Sequence, residues 1–231
     1  MFTNYEEINN YLKSSKDSKL SSFNKKLIFT KYEILGIPLK NLRLTAKEIM
    51  KNGEEQIVLN NKSFTYYEEI LLYGFIIASI KIDENQRIEY IEKYLKLIDN
   101  WSTCDSFCLS LKVIKKNKSF YFKYIEDLLK RKNPFEIRFG IILLMSYYLD
   151  EKNLKEIFKM LLIKNDDYYV EMALGWFFAT SLSKNYDETL IFLTNNKSSI
   201  SEKVRRKIIS KCNDSFRIEK EKKIEIKNSL S

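Results

Sequence analysis

Apolar residues recur along this chain at spacings of three and four, and short polar breaks separate one such run from the next. This period is typical of amphipathic helices. The first three predicted helices span residues 4–12, about 20–34 and 39–50. Thr3 is the expected N-cap of the first helix, and Gly36 is expected to end the second. Pro38 suits the first turn of the third helix, which Gly53 closes.

After a polar loop at 54–63, the predicted helices come in pairs. Thr65 and Glu68 have the spacing of a capping box, which begins the first pair. The four pairs span about 65–82 with 84–98, 101–116 with 118–131, 134–149 with 151–163, and 168–183 with 187–195. A last helix at about 200–212 leads into a charged tail, and the end of this tail (219–231) is expected to be a frayed helix or disordered chain.

The first helices of these pairs begin at a regular interval. Their predicted N-caps are Thr65, Asn100, Asn133, Asp167 and Ser199, which lie 35, 33, 34 and 32 residues apart. Two helices per unit at such a period are typical of an α-solenoid of the HEAT or TPR type, in which each pair buries its apolar face against its neighbours. We therefore predict an all-α fold, a curved solenoid of HEAT-like antiparallel helix pairs with a concave face. The alternative is a helical bundle whose helices happen to have similar lengths.

The whole chain, 1–231, is expected to form one HEAT-like repeat domain. It comprises N-terminal helices (1–63), repeats (64–213) and the charged C-terminal tail (214–231). A chain of this length buries roughly 70–75% of its unfolded surface on folding and needs no disulfides or metal to do so. Only five Gly and two Pro are present, which argues against a sandwich or barrel with many tight turns.

The chain contains no histidine, which excludes histidine-based acid–base chemistry, Ser-His and Cys-His nucleophile pairs and most zinc sites. Its three cysteines are too few and too odd in number for a disulfide framework. No secretory signal or run of 18 apolar residues is recognisable, so the expected compartment is the cytoplasm. Any chemistry must therefore use carboxylates, aromatic rings and cations, and we expect neither a metal nor a cofactor.

Positive charge exceeds negative charge by nine, with 40 Lys and Arg against 31 Asp and Glu. Between residues 201 and 227 there are ten Lys and Arg against five acids. Such a surplus favours encounter with a polyanion but does not identify one. An AT-rich genome that favours Lys codons explains the charge equally well.

The segment Asp99–Leu109 carries the most informative residues. With Asn100 as N-cap, Trp101 takes the first helical position and Asp105 the fifth, so that a carboxylate lies one turn from an indole on the same face. Arg138 and Trp176 take positions five and nine of their own helices, and positions one, five and nine share one helical stripe. The corresponding positions in the flanking units hold Ile70, Gly74, Val204 and Ile208. Polar residues therefore enter this stripe only in the middle units, where we expect a site.

Structural explanations exist for each of these residues. Trp101 and Trp176 lie in apolar helices where indoles often belong to the core. Asp105 and Arg138 can form a buried ion pair that needs no substrate. Cys104 and Cys108 are four residues apart, but two thiols without histidine make a poor metal site and are expected to be structural.

Five segments together resemble the DNA alkylation repair family (AlkD-like DNA glycosylases), whose members are built of HEAT-like repeats. They read L-G-I-P-L-K-N-L-R (35–43), W-S-T-C-D-S-F (101–107), P-F-E-I-R-F-G (134–140), Y-Y-V-E-M-A-L-G-W-F-F (168–178) and K-V-R-R-K-I-I-S-K (203–211). The resemblance covers residues from about 20 to 220. It implies that Trp101, Asp105, Arg138 and Trp176 line a basic concave cleft that accepts duplex DNA. One departure is Leu27, which stands where some members offer a tyrosine towards the DNA.

The resemblance implies a DNA glycosylase that hydrolyses the N-glycosidic bond of N3- or N7-alkylated purines. Such a base is already cationic, so it leaves as a neutral group without a general acid, and the sugar becomes oxocarbenium-like. Asp105 is expected to stabilise that cation and to orient water, while Trp101 and Trp176 pack against the sugar and backbone. Arg138 is expected to hold a phosphate.

Further phosphate contacts are expected from cations at the ends of the cleft, although a solvated surface explains these residues almost as well. They are Arg43, Arg205, Arg206 and Lys207. The expected partner is double-stranded DNA with alkylated bases, bound by a monomer without a membrane. Two other functions remain open: a non-catalytic DNA-structure binder of the same family, and a protein-binding α-solenoid scaffold.

Overall fold

The computed structural model describes residues 1–150 and 154–231, and these ranges contain fourteen α-helices. Within them no strand is present, and the β-type pairing consists of one isolated parallel bridge between Glu33 and Tyr66. The all-α prediction is confirmed. In the described part of the chain, no helix has the length and apolar character needed to cross a membrane.

The chain divides into two compact units, Met1–Val113 and Ile114–Ser231. In residues 1–113, all of which are described, the helices are α1 (Tyr5–Ser14), α2 (Ser18–Leu27), α3 (Leu39–Asn52), α4 (Glu55–Leu59), α5 (Tyr67–Ser79), α6 (Glu84–Leu95) and α7 (Trp101–Cys108). Helix α5 packs against α3, α4, α6 and α7 and is buried along most of its length. It therefore forms the centre of this unit.

The second unit contains α8 (Lys118–Leu129), α9 (Pro134–Tyr147), α10 (Leu154–Met160), α11 (Tyr168–Lys184), α12 (Tyr186–Asn195), α13 (Glu202–Asp214) and α14 (Lys220–Leu230) in its described residues. The predicted helix at 151–163 corresponds to α10, and its residues 151–153 lie outside the described residues. Helix α11 packs between α9 and α13, while α8 packs on α9 and α12 on α11. This packing of successive helix pairs agrees with the predicted α-solenoid, whose curvature stays a prediction.

Helix α2 ends at Leu27, not at about residue 34 as predicted, and residues 28–38 are not helical. Gly36 has a positive φ of 89°, and a Cβ there would lie 2.2 Å from the carbonyl oxygen of Asp17. The apolar residues of this segment are buried although the chain is not helical, and their spacing alone did not distinguish this chain from a helix. They are Ile28, Ile34, Leu35 and Ile37.

The predicted capping box at the start of α5 assigns the wrong glutamate. Glu69 accepts hydrogen bonds from the backbone N–H groups of Thr65 (2.7 Å) and Tyr66 (2.6 Å), so the N-cap is Tyr66. Glu68 points instead at the extended segment before α3. Its carboxylate accepts hydrogen bonds from three backbone N–H groups, those of Leu35 (3.0 Å), Gly36 (2.7 Å) and Ile37 (3.2 Å).

The last predicted N-cap also moves, from Ser199 to Ser201, whose hydroxyl accepts from the Val204 N–H. Asn100, Asn133 and Asp167 are confirmed as N-caps. The observed caps, from Tyr66 through these three to Ser201, lie 34, 33, 34 and 34 residues apart. The repeat is therefore more regular than the sequence alone indicated.

The charged tail ends in a helix that packs on the second unit. Helix α14 contacts α12 and α13 and buries Ile226 and Leu230. The Arg205 guanidinium donates to the Leu230 carbonyl (2.7 Å), and the Tyr186 hydroxyl donates to the Glu225 carboxylate (2.8 Å). Contacts to the two preceding helices thus stabilise this charged segment.

Candidate functional site

Helix α7 holds the predicted indole and carboxylate in the first unit. The Asn100 side chain accepts the Thr103 N–H at 3.0 Å and so fixes the start of the helix. Trp101 follows at the first helical position and is 38% exposed, whereas Asp105, one turn later, is 7% exposed. The helix thus carries an accessible ring and a buried carboxylate on consecutive turns, and the roles of these two residues stay a prediction.

The end of α2 is held against Trp101. The indole Nε1–H donates to the Leu27 carbonyl at 3.2 Å. The chain just beyond Leu27 is fixed to the residues before α7, because the Asp99 carboxylate accepts the Thr30 hydroxyl (2.8 Å) and the Lys31 N–H (2.8 Å). Leu27 itself is half exposed. The N-terminal helices therefore contribute to this site through a backbone carbonyl, a contact that no local sequence pattern indicated.

Arg43, a predicted phosphate contact, extends from α3 towards the chain that follows α7. Its guanidinium lies 4.1 Å from the centroid of the Phe75 ring and donates to the Ser110 hydroxyl at 2.7 Å. Burial lowers the pKa of Arg43 from its ordinary value of 12.5, and the group remains protonated at neutral pH. This predicted cation is thus held in a defined position on the first unit.

In the second unit, Arg138 links α9 to the start of α11. It is 5% exposed, and its Nη1 donates to the Tyr169 carbonyl at 2.8 Å. One of its five N–H donors is therefore used in holding the helix that carries Trp176. Arg138 therefore has a structural role in addition to the predicted role of holding a phosphate.

Trp176 is partly exposed on α11 and lines an open groove next to the end of α13. The other side chains of this groove include the cations Lys211 and Arg217 and the fully exposed ring of Phe216, with Asp214 as its acid. The sequence analysis missed these neighbours. Lys211 lies four residues after Lys207 on the same helix, so its position on the same face could have been predicted from the sequence. The position of the loop after α13 could not.

The three predicted cations of α13 have different surroundings. Arg205 is partly buried and bound to Leu230, as described above. Arg206 is exposed and paired with Glu202 of the preceding turn. The Lys207 ammonium lies 4.9 Å from the centroid of the Tyr168 ring, which is itself exposed. Two of the three cations therefore remain accessible to an anionic partner.

The predicted stripe is wrong for the flanking units. Ile70, Gly74, Val204 and Ile208 are all buried. With the observed caps, positions five and nine of the last unit hold Arg206 and Ser210, so polar residues also enter the stripe there. Trp101 and Asp105 belong to the first unit and Arg138 and Trp176 to the second. The convergence of these four side chains stays a prediction.

Cys104, Cys108 and Cys212 are buried and do not form disulfides. Burial raises the pKa of Cys212 to about 12, so its thiol is protonated at neutral pH. Among the described residues, no group of three or more potential ligands is arranged to hold a metal ion. The arrangement offers carboxylates, indoles and cations as its chemical groups.

Residues 6–211 match the model of a protein family described as DNA alkylation repair enzyme. The chain belongs to this family. The match spans most of the 231 residues and includes every predicted site residue. No curated protein and no solved structure matches the chain.

Membership confirms the resemblance and supports an enzymatic role in the repair of alkylated DNA. It also supports interaction with DNA, for which the basic surplus of the chain is suited.

Proposed function

We propose that this protein is a DNA glycosylase that hydrolyses the N-glycosidic bond of cationic N3- or N7-alkylated purines in duplex DNA. The observation that carries the proposal is the pair of residues on α7. The Trp101 indole is partly exposed, and Asp105, one turn further along the same helix, is only 7% exposed. The alkylated base leaves as a neutral molecule, so the reaction requires stabilisation of the sugar cation and a water molecule.

Asp105 supplies both in this proposal. Its negative charge stabilises the oxocarbenium-like sugar, and its second oxygen orients the attacking water. Because the carboxylate is sheltered, its attraction for the developing cation is screened less than at an exposed site. Trp101 presents the face of its ring to the same sugar, which adds about 0.5–2 kcal/mol as positive charge develops.

Trp176 and Arg138 are proposed to hold the backbone beside the lesion from the second unit. Arg206 and Lys207 are proposed to contact phosphates further along, and Arg43 does so from the first unit. Arg205 is the weakest of the proposed contacts because the Leu230 carbonyl uses one of its donors.

The decisive experiment measures the release of 7-methylguanine from a methylated duplex with protein in excess. We expect Asp105→Asn to lower the rate of base release by at least about 100-fold, the loss found when one electrostatic group of a transition state is removed. Binding of the duplex should be retained, because the substitution keeps the size of the side chain. Asp127→Asn, an exposed acid on α8, is the matched control and should react like the wild type.

Equal rates for Asp105→Asn and the wild type would remove Asp105 from the mechanism. A wild-type protein that binds duplex DNA with a steep dependence on salt but releases no base would instead be a non-catalytic DNA binder. Duplex affinity that does not respond to salt would refute both DNA functions and favour a protein-binding scaffold.

A further inference from the structure

A basic groove lies on the first unit between α3, α5 and the chain that follows α7. It has a volume of about 310 Å³ and is open on one side. Three cations line it, Arg43, Lys47 and Lys112, and its described lining contains no acid. Ser110 contributes a hydroxyl, and Phe75 forms part of an apolar floor. The groove therefore combines a local charge of three with a surface on which a sugar can pack.

The guanidinium of Arg43 is oriented in this groove before any ligand arrives. The Ser110 hydroxyl donates to the Ser106 carbonyl at 2.6 Å, so its oxygen is left to accept from Arg43 Nη1 at 2.7 Å. The centroid of the Phe75 ring lies 4.1 Å from the same guanidinium. An arginine fixed in this way loses little conformational entropy when it binds an oxyanion with its other N–H donors.

Three cations line the groove and no acid is among its described lining residues, so its local charge favours an anion. Burial lowers the pKa of Arg43, because the charged form is partly desolvated. A bound anion would offset this desolvation.

We propose that this groove binds a backbone phosphodiester of the DNA strand beside the reacting nucleotide, with Arg43, Lys47 and Lys112 around the phosphate. The inference rests on the proposed function. Ser110 follows Asp105 by five residues and lies just beyond the end of α7, so the groove adjoins the helix that carries the proposed catalytic carboxylate.

The test is a salt titration of binding to one methylated duplex. Lys47→Gln and Lys112→Gln should each weaken binding and lower the slope of log affinity against log salt by less than about 1, because Arg43 and the other lysine remain at the phosphate. The double variant should lower the slope further, by up to about 1, because both lysines serve the same phosphate. Lys51→Gln removes an exposed charge one turn further along α3, outside the groove, and should bind like the wild type.

Ser110→Ala separates a built site from a general positive field, because it removes the acceptor that orients Arg43 without changing any charge. We expect it to weaken binding in the same direction as the lysine variants. Binding of Ser110→Ala equal to the wild type, or slopes of the lysine variants equal to that of Lys51→Gln, would overturn the phosphate site. Failure of the proposed function has a different signature, since the wild type itself would then show no base release.

Discussion

Glu68 offers the sharpest test of how the N-terminal part of the first unit is held together. Its carboxylate is buried in α5 and accepts three backbone N–H groups from residues 35–37, one on Oε2 and two on Oε1. Replacement by alanine leaves all three N–H groups in an apolar environment without an acceptor. Replacement by glutamine keeps one oxygen but turns an N–H₂ donor towards the N–H of Leu35.

The geometry sets the size of the effect. Each buried donor left without an acceptor costs about 1–3 kcal/mol. Glu68→Ala should therefore lower the free energy of unfolding by at least about 3 kcal/mol. For a chain of this length, this corresponds to a fall in Tm of about 6–12 °C. Glu68→Gln should lose about 1–2 kcal/mol, because two of the three acceptor contacts can persist.

Thermal and urea unfolding followed by circular dichroism measure these differences, with Glu48→Gln on the exposed face of α3 as the control. Burial, the largest cause, raises the pKa of Glu68 above its ordinary value of 4.5. The stability linked to its protonation is therefore complete below pH 4.5 and is lost as the pH rises through the raised pKa. Glu68→Gln should lack this loss. A Glu68→Ala protein within 1 kcal/mol of the wild type at pH 7 would refute the role of the carboxylate.

Three further predictions concern packing. Gly175→Ala places a Cβ 2.7 Å from that of Lys207, so it should push α11 and α13 apart. We expect it to lower the free energy of unfolding by about 1–3 kcal/mol and to weaken duplex binding. Ile226→Ala should cost about 2–5 kcal/mol because this side chain of α14 is fully buried, whereas Ile224→Ala, on the exposed side of the same helix, should leave the Tm unchanged. Equal Tm values for the two variants would refute the packing of this helix. Trp101→Phe should lose about 0.5–1.5 kcal/mol with its N–H donor, yet release base faster than Trp101→Ala because an aromatic face remains.

The fold was predictable where its determinants are local. Asn100, Asn133 and Asp167 each accept N–H groups two or three residues ahead, so the sequence alone identified three of the five caps and the repeat period. Two other elements depend on partners far away in the chain. Glu68 resembles a capping residue until the N–H donors that its carboxylate accepts, more than thirty residues earlier in the chain, are seen. The helical tail depends in the same way on Arg205, which is 25 residues from Leu230.

The same difference between local and distant determinants applies to the candidate site. Trp101 and Asp105 lie on one helix, so their common face followed from a spacing of four. The tie from Trp101 to Leu27 spans 74 residues, and the one from Arg43 to Ser110 spans 67. Such contacts depend on how helices from distant segments pack, and no pattern within a single helix reports them.

The positions of the two tryptophans also give the protein an optical probe in each half. The chain has only two, Trp101 in the first unit and Trp176 in the second. Replacing either by phenylalanine leaves one tryptophan, which is excited selectively over the 15 tyrosines at long wavelength. Its quenching on addition of DNA would report occupancy of its own unit. Stopped-flow traces of the two single-tryptophan proteins would thus show in which order the two halves engage the double helix, without any attached dye.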